Sequence, residues 1–153
     1  MTVIGDTAAV ATGTKLQYRL EKFIFNPLFR SALKLGIAPR AFALLETTGK
    51  RTGRLRLTPV GNGLDGDVFW LVSEHGRDGA YVKNLLANPH VRVKVGRRWY
   101  TGAAVVVDSD DAYKRRRHID EANGLIGRAD GIIFRASAST PVTIRIALDP
   151  RRA

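Results

Sequence analysis

The chain contains no cysteine, which removes disulfides, thiolate nucleophiles and cysteine-based metal sites at once. Histidine is nearly as scarce. His75, His90 and His118 stand far apart with no metal-ligand spacing, so a metal centre is not expected. No run of about 18 apolar residues occurs, and the opening MTVIGDTAAVATGTKLQ lacks a basic segment followed by an apolar one. Neither a membrane-crossing helix nor a secretion leader is expected, and the chain reads as cytoplasmic. Acid is the other shortage: 14 Asp and Glu face 25 Lys and Arg, a formal net charge of +11. Such an excess favours an anionic partner, whether nucleic acid, membrane surface or polyanionic small molecule, and does not choose among them. At 153 residues the chain holds one domain with a real core and is too short for two.

Residues 1–13 are small and polar without periodicity and read as a tail, leaving 14–153 as the domain. From Lys15, KLQYRLEKFIF places Leu16, Leu20, Phe23 and Ile24 at helical spacing among cations. Asn26 and Pro27 then open a second short helix, PLFRSALKL, that Gly36 can end. Phe23, Phe25 and Phe29 among cations suit either a lid over 14–36 packed on the domain or an interfacial helix over 15–35 on the inner membrane face.

Beyond Pro39 the period changes. RAFALLETT, the two runs flanking the turn Gly61 to Gly66, HVRVKV, the segment after Gly96, and TPVTIRIALD read as strands, about six in all and mostly antiparallel. GAYVKNLLANP reads as a short helix closed by Asn88-Pro89, and DSDDAYKRRRHIDEAN as another with Asp and Ser caps, reaching Gly124. Its KRRRH, Lys114 to His118, points charges all round the axis and reads as a solvated surface. No βαβ rhythm is present, so the pattern predicts an α+β, mainly antiparallel small barrel with helices at the N-terminus, in the middle and before the last strand.

TTGKRTGRLR, Thr47 to Arg56, connects two of these strands. Gly49 and Gly53 allow successive N–H groups to face outward, and Lys50, Arg51, Arg54 and Arg56 add charged donors, which suits phosphate or carboxylate. An ordinary solvated hairpin carries the same residues. Neither Walker A nor Rossmann spacing is present.

Three ordered blocks, LLETTGKRTGRLRLTPV, FWLVSEHG and AYVKNLLANPHVRVKVG, resemble the deazaflavin-dependent nitroreductase family of F420H2-dependent oxidoreductases. Its members bind coenzyme F420 in a split β-barrel of the FMN-binding type. The resemblance covers about Phe42 to Val107 closely and the flanking segments loosely. It implies that Arg51 and Arg56 are the principal ligands of the coenzyme's phosphate and acidic tail, with Lys50 and Thr52 beside them. Leu57, Thr58, Pro59, Val60 and Gly61 would lie along the coenzyme. Val72, Ser73, Glu74, His75 and Gly76 would meet the deazaflavin ring, mainly through backbone groups; Glu74 and His75 stand where the family more often has basic or small polar residues. In the third block, Ala80, Tyr81, Val82, Lys83 and Asn84, Tyr81 would pack on the ring and Asn84 would hydrogen-bond near the tail or loop. Tyr81 reads equally as a core aromatic on an amphipathic helix.

The resemblance further implies hydride transfer from the reduced coenzyme to an electron-poor acceptor, the proton coming either from solvent or from a side chain, with Ser73 and Tyr81 as candidate donors and His75 the residue of suitable intrinsic pKa. Some relatives place several tyrosines before the last strand; here NGLIGRADGIIFRAS has none. Leu125, Ile126, Ile132, Ile133 and Phe134 suggest either an apolar substrate wall or core packing. A flat hydrophobic enone or quinone is therefore expected ahead of a nitro compound. Two other readings remain, a non-catalytic coenzyme carrier and a basic nucleic-acid-binding module. The latter is not expected, since no RNA-binding signature or helix-turn-helix accompanies the charge.

Overall fold

The computed structural model describes residues 27–150; the expected tail and the helix beginning at Lys15 lie outside them. The first element is helix α1 (Pro27–Leu35). Its end is a Schellman motif: the N–H of Gly36 donates to Leu33 O and that of Ile37 to Ala32 O. The buried side of α1 is Phe29 and Leu33, which pack on Phe42 and Leu44 with Leu57 at the margin. The rings of Phe29 and Phe42 meet edge to face at 5.3 Å. Helix α1 thus packs on the sheet while Leu28, Leu35 and Ile37 stay exposed.

Seven strands follow: β1 (Phe42–Thr48), β2 (Leu55–Gly61), β3 (Leu64–Asp65), β4 (Val68–Ser73), β5 (His90–Val95), β6 (Arg98–Val107) and β7 (Val142–Leu148). They form one antiparallel sheet of order β2-β1-β5-β6-β7-β4-β3, curled into a half-barrel. The fold is α+β with a split-barrel sheet. Six strands match the expected runs, and the seventh, β3, is two residues long. The Gly61 to Gly66 turn does not join β2 to β4 as a hairpin. Instead β2 pairs with β1 and β4 with β7, so the turn separates the two edges of the sheet.

Period-two alternation explains the core. Ala43 and Leu45, Phe69 and Leu71, Val91 and Val93, and Ile144 and Ile146 all face the concave side. Helix α2 (Ala80–Ala87) fills the curl with Val82 and Leu85, and it stops before Pro89, which cannot continue a helix. Two helices, α3 (Ala112–Ala122) and α4 (Gly124–Ser137), cover the other face of β4. Asp111 caps α3 by accepting from the N–H of Lys114 at 3.1 Å. The helix expected to reach Gly124 ends at Ala122, and the side chain of the next residue, Asn123, donates to the carbonyls of Ile119 and Asn62. Close contact between α3 and α4 requires Gly127, because a Cβ there would stand 2.3 Å from the Asp120 carbonyl oxygen.

Among the described residues no helix is long and apolar enough to cross a membrane, and no group of His, Asp and Glu is placed to hold a metal ion.

Candidate active site

The basic turn between β1 and β2 is a closed loop. Gly49 donates to Arg54 O at 2.7 Å, Gly53 to Gly49 O at 2.9 Å, and Arg54 to Thr52 Oγ1 at 3.2 Å. These bonds use the inward backbone groups and leave Lys50, Arg51, Arg54 and Arg56 exposed. None of the four forms an ion pair with a carboxylate among the described residues. Four cations without internal partners, held on a hydrogen-bonded loop, are a donor set that fits a phosphate and a carboxylate-rich tail.

Helix α2 connects this loop to the second block. Asn84 Oδ1 accepts from the N–H of Lys50 at 3.0 Å, and Asn84 Nδ2 donates to Thr47 Oγ1 at 3.2 Å. One turn earlier on α2, the Tyr81 hydroxyl is hydrogen-bonded to Ser73 at the end of β4. The Ser73 hydroxyl donates to Gly76 O at 2.9 Å and is buried. Burial pushes the Tyr81 phenol up to about 12; the Ser73 hydrogen bond opposes the rise and the Glu74 carboxylate adds to it. All three sequence blocks therefore meet along one face of α2.

Strand register sorts the remaining expected residues. On β2, Arg56, Thr58 and Val60 pair with Thr47, Leu45 and Ala43 and so share the concave side with α2. Leu57 and Pro59 take the opposite face, and Leu57 packs with the α1 cluster. Gly61 lies beside Ile119 of α3. Ala80, Lys83 and His75 are exposed. Val82 is a correction: it is fully buried with Leu85 because it points into the curl and away from the face carrying Tyr81 and Asn84. Phe134 is a second, at 1% exposure among Val72, Ala112 and Ile119. The expected apolar wall therefore loses its aromatic member, whereas Leu125 and Ile126 of α4 are 82% and 46% exposed.

Of Lys114 to His118, expected to be a solvated surface, Lys114, Arg117 and His118 are exposed, and the third correction concerns Arg115 and Arg116 alone. Arg115 pairs with Asp110 at 3.1 Å and stacks over Trp70 at 3.8 Å. Arg116 is buried over the Phe134 ring, bonded to Asp120 Oδ1 at 2.8 Å and to Asp130 Oδ2. Burial alone would lower the Arg116 pKa, but the carboxylates of Asp130 and Asp120 outweigh it and hold the guanidinium charged. Burial raises the Asp120 carboxyl against the pull of Arg116, and its Oδ2 makes no hydrogen bond. The spacing of Arg116 and Asp120 is a legible i,i+4 signal; the arrival of Asp130 from the next helix is not.

The loop after β4 adjoins this network. Gly76 has φ +57, and a Cβ there would stand 2.4 Å from Thr140 O, so only glycine lets the loop lie on the turn before β7. Glu74 is half-buried; its carbonyl accepts from the N–H of Ser139 at 2.9 Å and its Oε2 from Ser137 Oγ at 3.3 Å. Burial raises its carboxyl above the ordinary value; Arg116 opposes this, Asp130 adds to it, and His75 and Ser137 oppose it. A further ion pair missed in the sequence, Arg92 bidentate on buried Glu46 at 2.7 and 2.9 Å, lies on the sheet with Trp99 beneath Arg92.

The curled antiparallel half-barrel is shared with several solved structures. One, described as an F420-H2 dependent reductase (FDR-A), is 19% identical over 70% of this chain and 94% of its own, with a TM-score of 0.52. Another, an F420 reductase, is 19% identical over 80% and 94%, with a TM-score of 0.51. A third, conserved hypothetical protein Rv2991 from Mycobacterium tuberculosis, is 18% identical over 83% of each chain, with a TM-score of 0.54. At these identities the likeness shows the fold. No curated protein matches the chain. The sequence of residues 31–146 matches the model of the F420H(2)-dependent quinone reductase family, and the chain belongs to that family. It is an oxidoreductase that uses coenzyme F420.

Proposed function

We propose that the chain reduces a flat, apolar quinone, holding the coenzyme's acidic tail at Lys50 to Arg56 and the deazaflavin ring against Val72 to Gly76. The observation that carries this is the double attachment of α2, through Asn84 to the basic loop and through Tyr81 to Ser73. It sets a cationic anchor and a buried hydroxyl pair on one continuous face about one helical turn apart. When bound in its reduced form, coenzyme F420 supplies the hydride. Arg51 and Arg56 neutralise the tail, Lys50 and Thr52 flank them, and Thr58 and Val60 extend the same concave face. Tyr81 and the loop at Ser73 orient the ring's side of the site and keep water from it. The family description favours a quinone. Exposed Leu28, Leu35 and Ile37 around α1 would suit contact with a membrane surface, where apolar quinones reside.

The tail assignment is tested by Arg51→Ala combined with Arg56→Ala. Loss of two charge-assisted contacts should weaken coenzyme affinity by about 2 to 5 kcal/mol, read by tryptophan quenching. An unaltered affinity would remove the tail from this loop. For the acceptor, kcat/KM for menadione should exceed that for a cyclic enone or a nitroimidazole; the reverse order would overturn the quinone assignment.

A further inference from the structure

We propose that the end of α1 and the β5–β6 turn together form a surface that docks on an anionic lipid bilayer. The inference deepens the membrane contact suggested above for α1 and rests on that reading, and it is independent of where the coenzyme binds. Two segments far apart in the chain are fixed side by side here. Gly36, at φ +74, closes α1, and the turn passes so near that a Cβ there would stand 2.7 Å from Gly96 O and 2.6 Å from Arg97 Cγ. The Lys94 ammonium donates to Lys34 O, 60 residues away at the end of α1. The same ammonium and the Arg92 guanidinium lie over the Trp99 ring, at 5.8 and 4.4 Å. From the other side, Phe29 and Leu33 hold α1 on Phe42 and Leu44.

What this junction presents to solvent is apolar and cationic. Leu35 and Ile37, on either side of Gly36, are 65% and 67% exposed, and Trp99 is 39% exposed. Lys34, Arg40, Arg97 and Arg98 are exposed as well, and none of these four pairs with a carboxylate among the described residues. Residues 27–45 and 90–107 contain no Asp or Glu at all. Such a patch matches the boundary of an anionic bilayer, where apolar side chains enter, tryptophan sits at headgroup level and cations meet phosphates. A second copy of the chain would bring the same uncompensated cations and be repelled. A nucleic acid would use the cations and leave Leu35 and Ile37 in water.

Strand register keeps this surface away from the coenzyme loop. Lys94 pairs with Leu44 and Arg92 with Glu46, so the β5–β6 turn lies at the Phe42 end of β1 and the basic loop Gly49 to Arg54 at its Thr48 end. The seven residues of β1 set the two about 20 Å apart. The two clusters of cations therefore serve different anions, and docking leaves the loop open to the coenzyme.

The test mixes the full chain with vesicles of phosphatidylcholine, alone or with phosphatidylglycerol added, and reads bound protein by co-sedimentation. The mixed vesicles should bind it and the neutral ones should not, with binding weaker as salt rises. Arg97→Ala combined with Arg98→Ala should weaken this binding by about tenfold or more, since each cation near an anionic surface contributes about fivefold. Leu35→Ser combined with Ile37→Ser should also weaken it by about tenfold. Tryptophan emission should shift to the blue on docking in the wild type and not in Trp99→Phe. In every variant, coenzyme affinity should stay within about twofold of wild type, with or without vesicles. Failure of the wild type to bind mixed vesicles overturns both the inference and the membrane contact of α1. Full binding by both double variants overturns the docking surface alone. Equal binding to neutral vesicles overturns the role of the cations, and with it the inference. So does an RNA oligonucleotide bound as tightly as the mixed vesicles, if Arg97→Ala with Arg98→Ala releases it and Leu35→Ser with Ile37→Ser does not. Loss of coenzyme binding in the wild type would overturn the coenzyme reading, an outcome distinct from all of these.

Discussion

Asn84 is the residue on which the site's geometry turns, since one amide side chain serves both the loop backbone at Lys50 and the β1 hydroxyl at Thr47. Asn84→Ala leaves the Lys50 N–H to solvent, where water can satisfy it, so stability should fall by only about 0.5 to 1.5 kcal/mol. The loop loses its tether to α2, and coenzyme affinity should drop more steeply than stability, by roughly tenfold. Isothermal titration beside urea denaturation checks the split; equal losses in both would mean that Asn84 acts only through folding. The neighbouring Val82 shows how fine the residue scale is. A helical step of about 100° separates it from Tyr81, and that step moves it from the site face into the core. The family likeness groups Ala80 to Asn84 as one block. Only the helix, once set against β1, divides the block into residues that face the site and a residue that packs.

Among the elements, the pair α3 and α4 holds the least expected chemistry. Both helices are needed to assemble Arg116, Asp120 and Asp130, and they approach closely because Gly127 lacks a side chain. Gly127→Ala improves helix propensity by about 1 kcal/mol, yet its Cβ would meet a backbone carbonyl that no rotamer change can move. The net effect should be a loss of about 1 to 3 kcal/mol, seen as a lower urea midpoint. A gain would show that α4 can shift freely. Strand alternation made β1, β4, β5 and β7 legible, because each has one face in the core and period two follows from the pleat. The pairing of β2 with β1 at one edge and of β4 with β7 near the other was not legible. Local turn residues at Gly61 to Gly66 look the same whether the flanking strands pair with each other or separate.

For the whole molecule, whose charge excess is +11, the cations among the described residues include some that are engaged and some that are not. Arg77, Arg92, Arg115 and Arg116 are paired with carboxylates, whereas Lys50, Arg51, Arg54 and Arg56 cluster at one end of the β1–β2 hairpin. Coenzyme affinity should therefore weaken as salt rises from about 0.05 to 0.5 M, since exposed charges are screened within a Debye length of about 8 Å at physiological ionic strength. A short RNA should not displace bound coenzyme at about 0.15 M salt. Displacement at stoichiometric RNA would return the nucleic-acid reading to first place. By itself the sequence determined the class of fold, the basic turn and the order of the three blocks, because alternation, capping and turn chemistry act between residues close in the chain. It also carried the family likeness that pointed to coenzyme F420. Only the tertiary structure decided which residues share a surface: that Tyr81 meets Ser73, that Asn84 meets the loop, and that Arg116 draws in Asp130 beside Glu74. Those contacts join residues far apart in the chain. Their energies depend on burial and separation, which exist only after the sheet has curled and the helices have docked.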